Sequence, residues 1–132
     1  MENLFIEIQS RYDFDQTLEK LSEKIQQPGT GWKILIVHDL QLSLQKNNFE
    51  VLPVKVMEIC NPAYSSRLLD QDDKRINSTM MPCRISVYEK SDGKTYVSIM
   101  NFSILAAQID GVVAEVMNQS FTDAIGFFEE IK

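Results

Sequence analysis

The stretch that decides the fold runs from CNPAY at residues 60–64 to MMPCR at residues 80–84. It contains both cysteines of the chain, Cys60 and Cys83, and each lies close to a proline. Cys60 lies where one predicted strand ends, and Cys83 lies where the next one begins. The residues before this stretch are expected to form the first part of a sheet, and the residues after it are expected to complete that sheet.

Asn61 and Pro62 predict a short helix directly after the first of these strands. Asparagine is a favoured helix N-cap, and proline suits the first helical position because its missing N–H would have no partner there. The helix is expected over residues 63–69 and is followed by a polar loop. If the strands on either side are antiparallel neighbours, Cys60 and Cys83 meet at one end of the sheet.

A strand and an amphipathic helix are predicted at the start of the chain. Residues 4–9 alternate between apolar and polar side chains, which is the period of a half-buried strand. Apolar residues then recur at helical spacing over residues 14–25, and Asp13 or Asp15 is the expected N-cap. A turn with two glycines stops this helix.

The second strand, at residues 32–37, is apolar at odd and even positions alike, except for Lys33. Continuous apolar runs are typical of strands covered on both faces, so this strand is expected to be covered in that way. His38 and Asp39 end it, and Asp39 is the expected cap of a short helix that carries three leucines. A third strand then leads to Cys60.

A hairpin and a long helix complete the chain. Residues 83–90 and 94–100 are the two strands of the hairpin, since the DG pair between them is a strong turn signal. Apolar residues from 109 to 131 form one stripe, which predicts a single long helix in preference to two. Together the elements predict an α+β fold with a mainly antiparallel sheet.

Length and composition fit a single domain that spans residues 1–132. The net charge is −6, and no cluster of Lys and Arg is present that would bind a nucleic-acid backbone or a membrane surface. The chain begins without a basic n-region, and no apolar run approaches the roughly 18 residues of a membrane-spanning helix. The expected location is therefore the cytoplasm, where the two cysteines are expected to be reduced thiols.

Three motifs taken together resemble the domain-of-unknown-function 302 family: CNP at residues 60–62, PCRISVYE at residues 82–89 and DG at residues 92–93. The similarity extends to TLEKL at residues 17–21, to Asp39 and to the long terminal helix. The resemblance implies a fold like that of the TATA-box-binding-protein group, in which a curved antiparallel sheet grips a long C-terminal helix. It also implies a homodimer, and it implies no activity because none is assigned to the family.

The chain departs from the family pattern at two places that concern the cysteine region. Met80 and Met81 stand where family members usually have an aliphatic residue before Pro-Cys. His38 stands where many members have an acidic residue. A site inherited from the family is therefore expected to be altered in this chain.

The cysteine region is the strongest candidate for chemistry. A thiolate at Cys60 would precede a helix N-terminus, which lowers the pKa of a thiol, and Cys83 would act as its resolving thiol. This interpretation predicts a redox or peroxide-sensing pair, whereas the simpler one treats both cysteines as small buried apolar residues. The candidate site residues are Cys60, Asn61, Pro62, Cys83, Arg84 and His38.

Metal binding and nucleophilic catalysis receive less support from the sequence. The cysteines, the methionines between them and His38 are of types that suit Cu(I) or zinc, but their spacing follows no known finger pattern. His38 is the only histidine, and its neighbour Asp39 is badly placed to orient it because neighbours on a strand point to opposite faces. We therefore predict no metal site, no catalytic residue and no particular cofactor.

One face of the sheet is expected to lack helices. It carries Tyr88, Tyr96 and Met100, with Phe5 beside them, and such a face is too apolar to stay entirely bare. The hypothesis is a homodimer in which this face packs sheet against sheet. The alternative is a monomer with scattered exposed apolar residues, which are common.

A curved sheet that grips a helix can leave a cavity that holds a small apolar ligand. Trp32, Phe121, Phe127 and Phe128 are the expected lining, and the alternative is that these rings fill the core. The sequence therefore favours a non-enzymatic homodimeric module that binds a small ligand or interacts with a partner. A cysteine-dependent redox or sensor protein is the second hypothesis.

Overall fold

The strands of the chain form one antiparallel sheet. In the computed structural model, which describes residues 3–132, they span Phe5–Gln9 (β1), Lys33–Asp39 (β2), Val54–Cys60 (β3), Cys83–Glu89 (β4) and Thr95–Met100 (β5). Their order across the sheet is β1-β5-β4-β3-β2. The predicted α+β fold, with its antiparallel sheet and long C-terminal helix, is confirmed.

Three of the helices begin directly after a predicted N-cap residue. They span Phe14–Ile25 (α1), Leu40–Gln45 (α2), Pro62–Leu69 (α3), Phe102–Ala106 (α4) and Gly111–Phe128 (α5), with 3₁₀ helices at Arg75–Met80 and Glu129–Ile131. The side chains of Asp13, Asp39 and Asn61 each accept a backbone N–H two or three residues further on. Neither α4 nor the 3₁₀ helix before β4 was predicted, because such short segments show no periodic pattern.

The core lies between one face of the sheet and the helices α1 and α5. Alternate residues of β4 and β5 point to this face, as the parity of the hairpin predicts. Burial of these side chains supplies most of the driving force for folding. The fully buried side chains of the sheet and of the two helices include Leu21, Ile25, Met57, Ile59, Ile85, Val87, Val97 and Phe128.

The long C-terminal helix is continuous from Gly111 to Phe128, so the preference for one helix over two is confirmed. Asp110 occupies the N-cap position, although its side chain accepts no backbone N–H there. Phe127 and Phe128, at the far end of the helix, are both buried in the core. Within residues 3–132, no helix is long and apolar enough to cross a membrane.

The prediction that β2 is covered on both faces is wrong. In the described part of the chain, β2 is an edge strand that pairs with β3 alone. Ile36 on one face is 51% exposed, and Val37 on the other face is 47% exposed. The apolar pattern of β2 is that of an interior strand, but the strand order, which a local pattern does not encode, places it at the edge.

Candidate functional site

Cys60 and Cys83 line one small cavity at the end of the sheet, on the side that the helices cover. The antiparallel pairing of β3 with β4 sets Ile59 opposite Cys83, so both cysteines lie at the same end, as predicted. The cavity has a volume of about 60 Å³. Its other walls come from α3, the 3₁₀ helix Arg75–Met80, α4 and α5.

The junction between β3 and α3 holds the Cys60 side chain at the cavity. Asn61 caps α3 by accepting the Ala63 N–H at 3.1 Å, so the helix begins directly after the strand. The Cys60 Sγ atom lies 3.2 Å from the Ser65 Oγ atom in the first turn of α3. Strand alternation alone would place Cys60 on the outer sheet face, whereas its Sγ atom contacts Ser65 of α3 and lines the cavity.

Gly31 fits closely against this junction. Its φ is +79°, and a Cβ atom added there would lie 3.1 Å from Asn61 Nδ2. The left-handed backbone conformation favours glycine, and a Cβ atom at this position would also make a tight contact with Asn61. The turn that follows α1 therefore packs directly against Asn61, the residue that caps α3.

The two thiols of the cavity are free. Burial raises the pKa of Cys83 to about 11, with a further contribution from the neighbouring Cys60 thiol. Cys83 is therefore a neutral thiol at physiological pH. Since the thiolate is the nucleophile and the metal ligand, this residue is poorly suited to either role without the loss of its proton.

Asp123 joins the elements around the cavity by hydrogen bonds. Its Oδ2 atom accepts the indole N–H of Trp32 and the hydroxyl of Tyr64, both at 2.9 Å. Its Oδ1 atom accepts an N–H of Gln119 at 2.9 Å. Burial raises the pKa of Tyr64, and the bond to Asp123 raises it further. The carboxylate thus ties α5 to the start of β2 and to α3.

Sequence reasoning did not identify Asp123 as part of the site. The one available signal was Trp32, because a buried indole N–H needs an acceptor. That acceptor lies 91 residues further along the chain, and no local pattern points to it.

The remaining candidate residues lie outside the cavity. Pro62 is exposed at the first position of α3. Arg84 and His38 lie on the opposite face of the sheet, where the Arg84 Nε and His38 Nε2 atoms are each 3.4 Å from Glu58 Oε1. The register explains this, because Glu58 pairs with Arg84 on the face opposite Ile59. The candidate residues therefore divide between the two faces of the sheet.

Of the four rings expected to line a ligand cavity, Trp32 alone lies at this one. Phe127 and Phe128 are buried in the core, and Phe121 is partly buried against it. The three phenylalanine rings lie on sides of α5 that do not face the cavity. The side of α5 that faces the cavity carries aliphatic and thioether side chains instead. The helical residues of the lining include Leu68, Phe102, Val116, Met117 and Ser120.

The cavity lining contains no Lys, Arg, His, Asp or Glu. Met80 and Met81 lie in the lining with the two cysteines, so the cavity is rich in soft sulfur atoms. Across residues 3–132, no three His, Cys, Asp or Glu side chains come close enough together to hold a metal ion. The cavity is thus apolar and uncharged in character.

The fold and the site define a small α+β domain with an uncharged cavity lined by two free thiols. The chain belongs to the family described as "Domain of unknown function DUF302", whose model matches residues 6–126. The resemblance drawn from the cysteine motifs is thereby confirmed.

A solved structure shares this fold. It is the crystal structure of uncharacterized conserved protein DUF302 from Bacillus stearothermophilus, with a TM-score of 0.86 and 19% sequence identity. The match covers 99% of this chain and 100% of that one. At this identity the likeness shows the fold alone. No curated protein matches the chain.

Replacing Asp123 is expected to loosen the wall of the cavity. Asp123→Ala should lower the free energy of unfolding by about 2–3 kcal/mol, because two partly buried donors, on Trp32 and Tyr64, lose their charged acceptor. Urea unfolding followed by circular dichroism measures the change. Asp123→Asn keeps one acceptor oxygen and should lose less, and equal stability of Asp123→Ala and the wild type would contradict this role.

Cys83 is expected to alkylate slowly. In the native protein at pH 8 its reaction with iodoacetamide should be roughly hundredfold slower than in the unfolded chain, because a pKa of about 11 in place of 9.0 leaves less thiolate. The rate should increase as the pH rises toward 11, where the thiolate forms. Peptide mapping by mass spectrometry assigns the modified residue, with the urea-unfolded chain as the control. Similar native and unfolded rates at pH 8 would contradict the burial of this thiol.

Proposed function

We propose that this protein is a non-enzymatic, homodimeric binding module that holds a small apolar ligand in the cavity beside Cys60 and Cys83. The observation that carries the proposal is the uncharged cavity of about 60 Å³ between the end of the sheet and four helical segments. A cavity lined in this way favours an apolar ligand, since no lysine, arginine, aspartate, glutamate or histidine is available in it to pair with a charge.

The loss of stability that an empty cavity causes supports the proposal that a ligand fills it. An unfilled cavity of this size destabilises a fold by on the order of 1–2 kcal/mol, which is a notable part of the stability of a small domain. A larger side chain at Val116 or at Ser120 would fill the space at little chemical cost. The space left open beside Val116 and Ser120 favours a ligand that occupies it in the working protein.

The size of the cavity limits what it holds. One water molecule needs roughly 10–15 Å³ on this measure, so about 60 Å³ accommodates a ligand of a few heavy atoms or the end of a longer one. Met80, which is exposed, and Met81 lie at its rim. Flexible thioether side chains adapt to ligands of different shape, which suits the mouth of a binding site.

The chemistry of the cavity favours binding over catalysis. General acid–base catalysis needs a titratable group poised near the working pH. The titratable groups of the lining are Cys60, Cys83 and Tyr64, and the pKa of Cys83 and that of Tyr64 are both raised away from neutrality. No acid–base pair faces the ligand space.

Ligand binding can be followed through Trp32, which is the only tryptophan and lines the cavity. Linear alcohols from butanol to octanol are suitable uncharged probes. Their titration should change Trp32 fluorescence in a saturable way, and they should raise the melting temperature because they bind the folded state. Native mass spectrometry of the protein as purified should also show a retained ligand mass.

Two variants of α5 test the location. Val116→Phe fills the cavity and should weaken probe binding at least tenfold, whereas Val113→Phe, on the same helix but outside the lining, should leave binding unchanged. A fluorescence response that does not saturate, or one that Val116→Phe leaves intact, would contradict the proposal.

A cysteine-dependent redox or sensor protein is the second candidate, favoured by the presence of both free thiols in one cavity. In that case hydrogen peroxide would oxidise the Cys60 and Cys83 thiols to one disulfide and would itself be reduced to two water molecules. The raised pKa of Cys83 makes this candidate weaker, because a neutral thiol resolves slowly.

Peroxide treatment separates the two candidates. A ligand-binding module should keep both thiols at stoichiometric peroxide, as counted by iodoacetamide in urea. A redox protein should lose two hydrogens in mass and both titratable thiols within minutes, and Cys60→Ser should abolish that loss. Rapid disulfide formation would favour the second candidate over the first.

A further inference from the structure

An extended apolar surface lies on the side of the molecule formed by β2 and α2. Six apolar side chains of these two elements are between 38% and 54% exposed, and α2 buries none of its residues. The loop that follows α2 continues the patch with Phe49, Val51 and Leu52, which are also exposed. We call these nine residues the β2–α2 surface. The six that belong to β2 and α2 are Leu35, Ile36, Val37, Leu40, Leu42 and Leu44.

We propose that two copies of this chain associate through the β2–α2 surface, with the outer edges of their β2 strands paired antiparallel about a twofold axis. The inference rests on the homodimer of the proposed function and names the surface that forms it. Such pairing would join two five-stranded sheets into one and would cover the leucines of both α2 helices.

The outer edge of β2 differs from the other edge of the sheet. β1, at the opposite edge, carries Glu7, whose carboxylate accepts hydrogen bonds from Tyr88 and Lys90. Charged side chains of this kind protect an edge strand from pairing with another chain. β2 has no charged residue from Ile34 to Val37 and no proline, so apart from the bulge between Ile34 and Ile36 this edge lacks such protection. Long apolar edges of this kind are covered in working proteins.

The sequence of β2 matches a strand that is covered on both faces, yet within residues 3–132 only Ile34 of its apolar residues packs against the core, and Leu35, Ile36 and Val37 are exposed. Ile36 is exposed on the outer face and Val37 on the inner face, so a flat partner on one face would cover only one of them. A second β2 strand beside the first, with its α2 helix and loop packed alongside, would cover the edge and reach both faces.

The charges favour a second copy as the partner. The chain carries a net charge of −6, so two copies repel each other unless their contact surface is neutral. β2, α2 and the following loop carry two carboxylates: Asp39, which lies 4.0 Å from Lys55 of the same chain, and the exposed Glu50 between Phe49 and Val51. The nine apolar side chains themselves bring no charge to a symmetric contact. A basic partner would be expected to select an acidic patch instead.

The area also fits. Each partner of a stable interface of standard size buries roughly 800 Å². Nine apolar side chains with about half of their surface exposed offer several hundred Å² of this, and the strand backbone supplies the rest. The patch is larger than the isolated apolar residues that monomers commonly expose.

The helix-free face of the sheet, where sequence analysis located the dimer, is less suited to this contact. Tyr88 and Tyr96 stack on each other there, and Lys90 lies 4.1 Å from the centre of the Tyr96 ring. The Tyr96 hydroxyl donates to Asp92 at 2.5 Å. These polar groups bond one another within the chain, and among the described residues the exposed apolar side chains on this face, apart from Ile36 of β2 itself, are Phe5 and Met100 at one end.

Size-exclusion chromatography with light scattering on the full chain tests the inference. At about 50 μM the wild type should have twice the monomer mass of 15.2 kDa. Ile36→Lys in β2 and, separately, Leu42→Lys in α2 should weaken dimerisation at least tenfold and shift the mass toward one chain. Both positions are exposed in the single chain, so circular dichroism should show an unchanged fold.

Met100→Lys is the matched control, because Met100 is similarly exposed but lies on the helix-free face near β1. It should leave the dimer intact. If Met100→Lys separates the dimer while Ile36→Lys and Leu42→Lys do not, the inference is overturned and the helix-free face is the contact. If the wild type stays a monomer up to 50 μM, both the inference and the homodimer fail, while ligand binding beside the cysteines stands on its own titration.

Hydrogen exchange on the wild type gives a test that needs no variant. Backbone pairing across the twofold axis should protect the outward-facing amides of β2, and dilution below the dissociation constant should remove that protection. Amides of β2 that exchange equally fast in the dimer and in the diluted monomer would overturn the strand pairing.

Discussion

The antiparallel pairing of β3 with β4 is the constraint on which the rest of the structure depends. It sets Ile59 opposite Cys83, so the chain must leave the end of β3, form α3 and the following 3₁₀ helix, and return to the same end of the sheet. These segments then form the walls of the cavity. The position of the Cys83 thiol follows from this register, because a slip by one residue would turn Cys83 to the opposite face.

The Asp123 carboxylate gives the cavity a defined shape. Its bonds to Trp32 and Tyr64 fix two aromatic side chains from distant parts of the chain against α5. Hydrogen bonds to an ionised acceptor are stronger than those between neutral groups, and they are directional. The apolar packing around them is not directional, so the carboxylate decides where the rings lie. The cavity on one side of the sheet and the β2–α2 surface at its edge are thus separate features, and each has its own physical cause.

Much of the fold was predictable because its causes act over a few residues. Asn61 shows a helix cap next to Pro62, the DG pair at residues 92–93 shows the hairpin, and the alternation in β4 and β5 shows which face is buried. The meeting of Cys60 and Cys83 followed from the assumption that their strands are neighbours. The grouping of His38 and Arg84 with the cysteines did not follow in the same way, since the pairing of Glu58 with Arg84 directs that side chain to the other face.

By itself, the sequence determined the caps, the period of each strand and helix, the turn residues and the family, because each depends on neighbouring residues or on a short motif. The tertiary structure decided the order of the strands, the partner of Trp32, the lining of the cavity and the exposure of β2. Those depend on which distant segments pack together, and an apolar run reads the same whether another strand of its own chain covers it or not. The stretch from Cys60 to Arg84 belongs to both groups: its motifs are local, whereas the cavity beside it exists only because β3, β4 and the helices meet there.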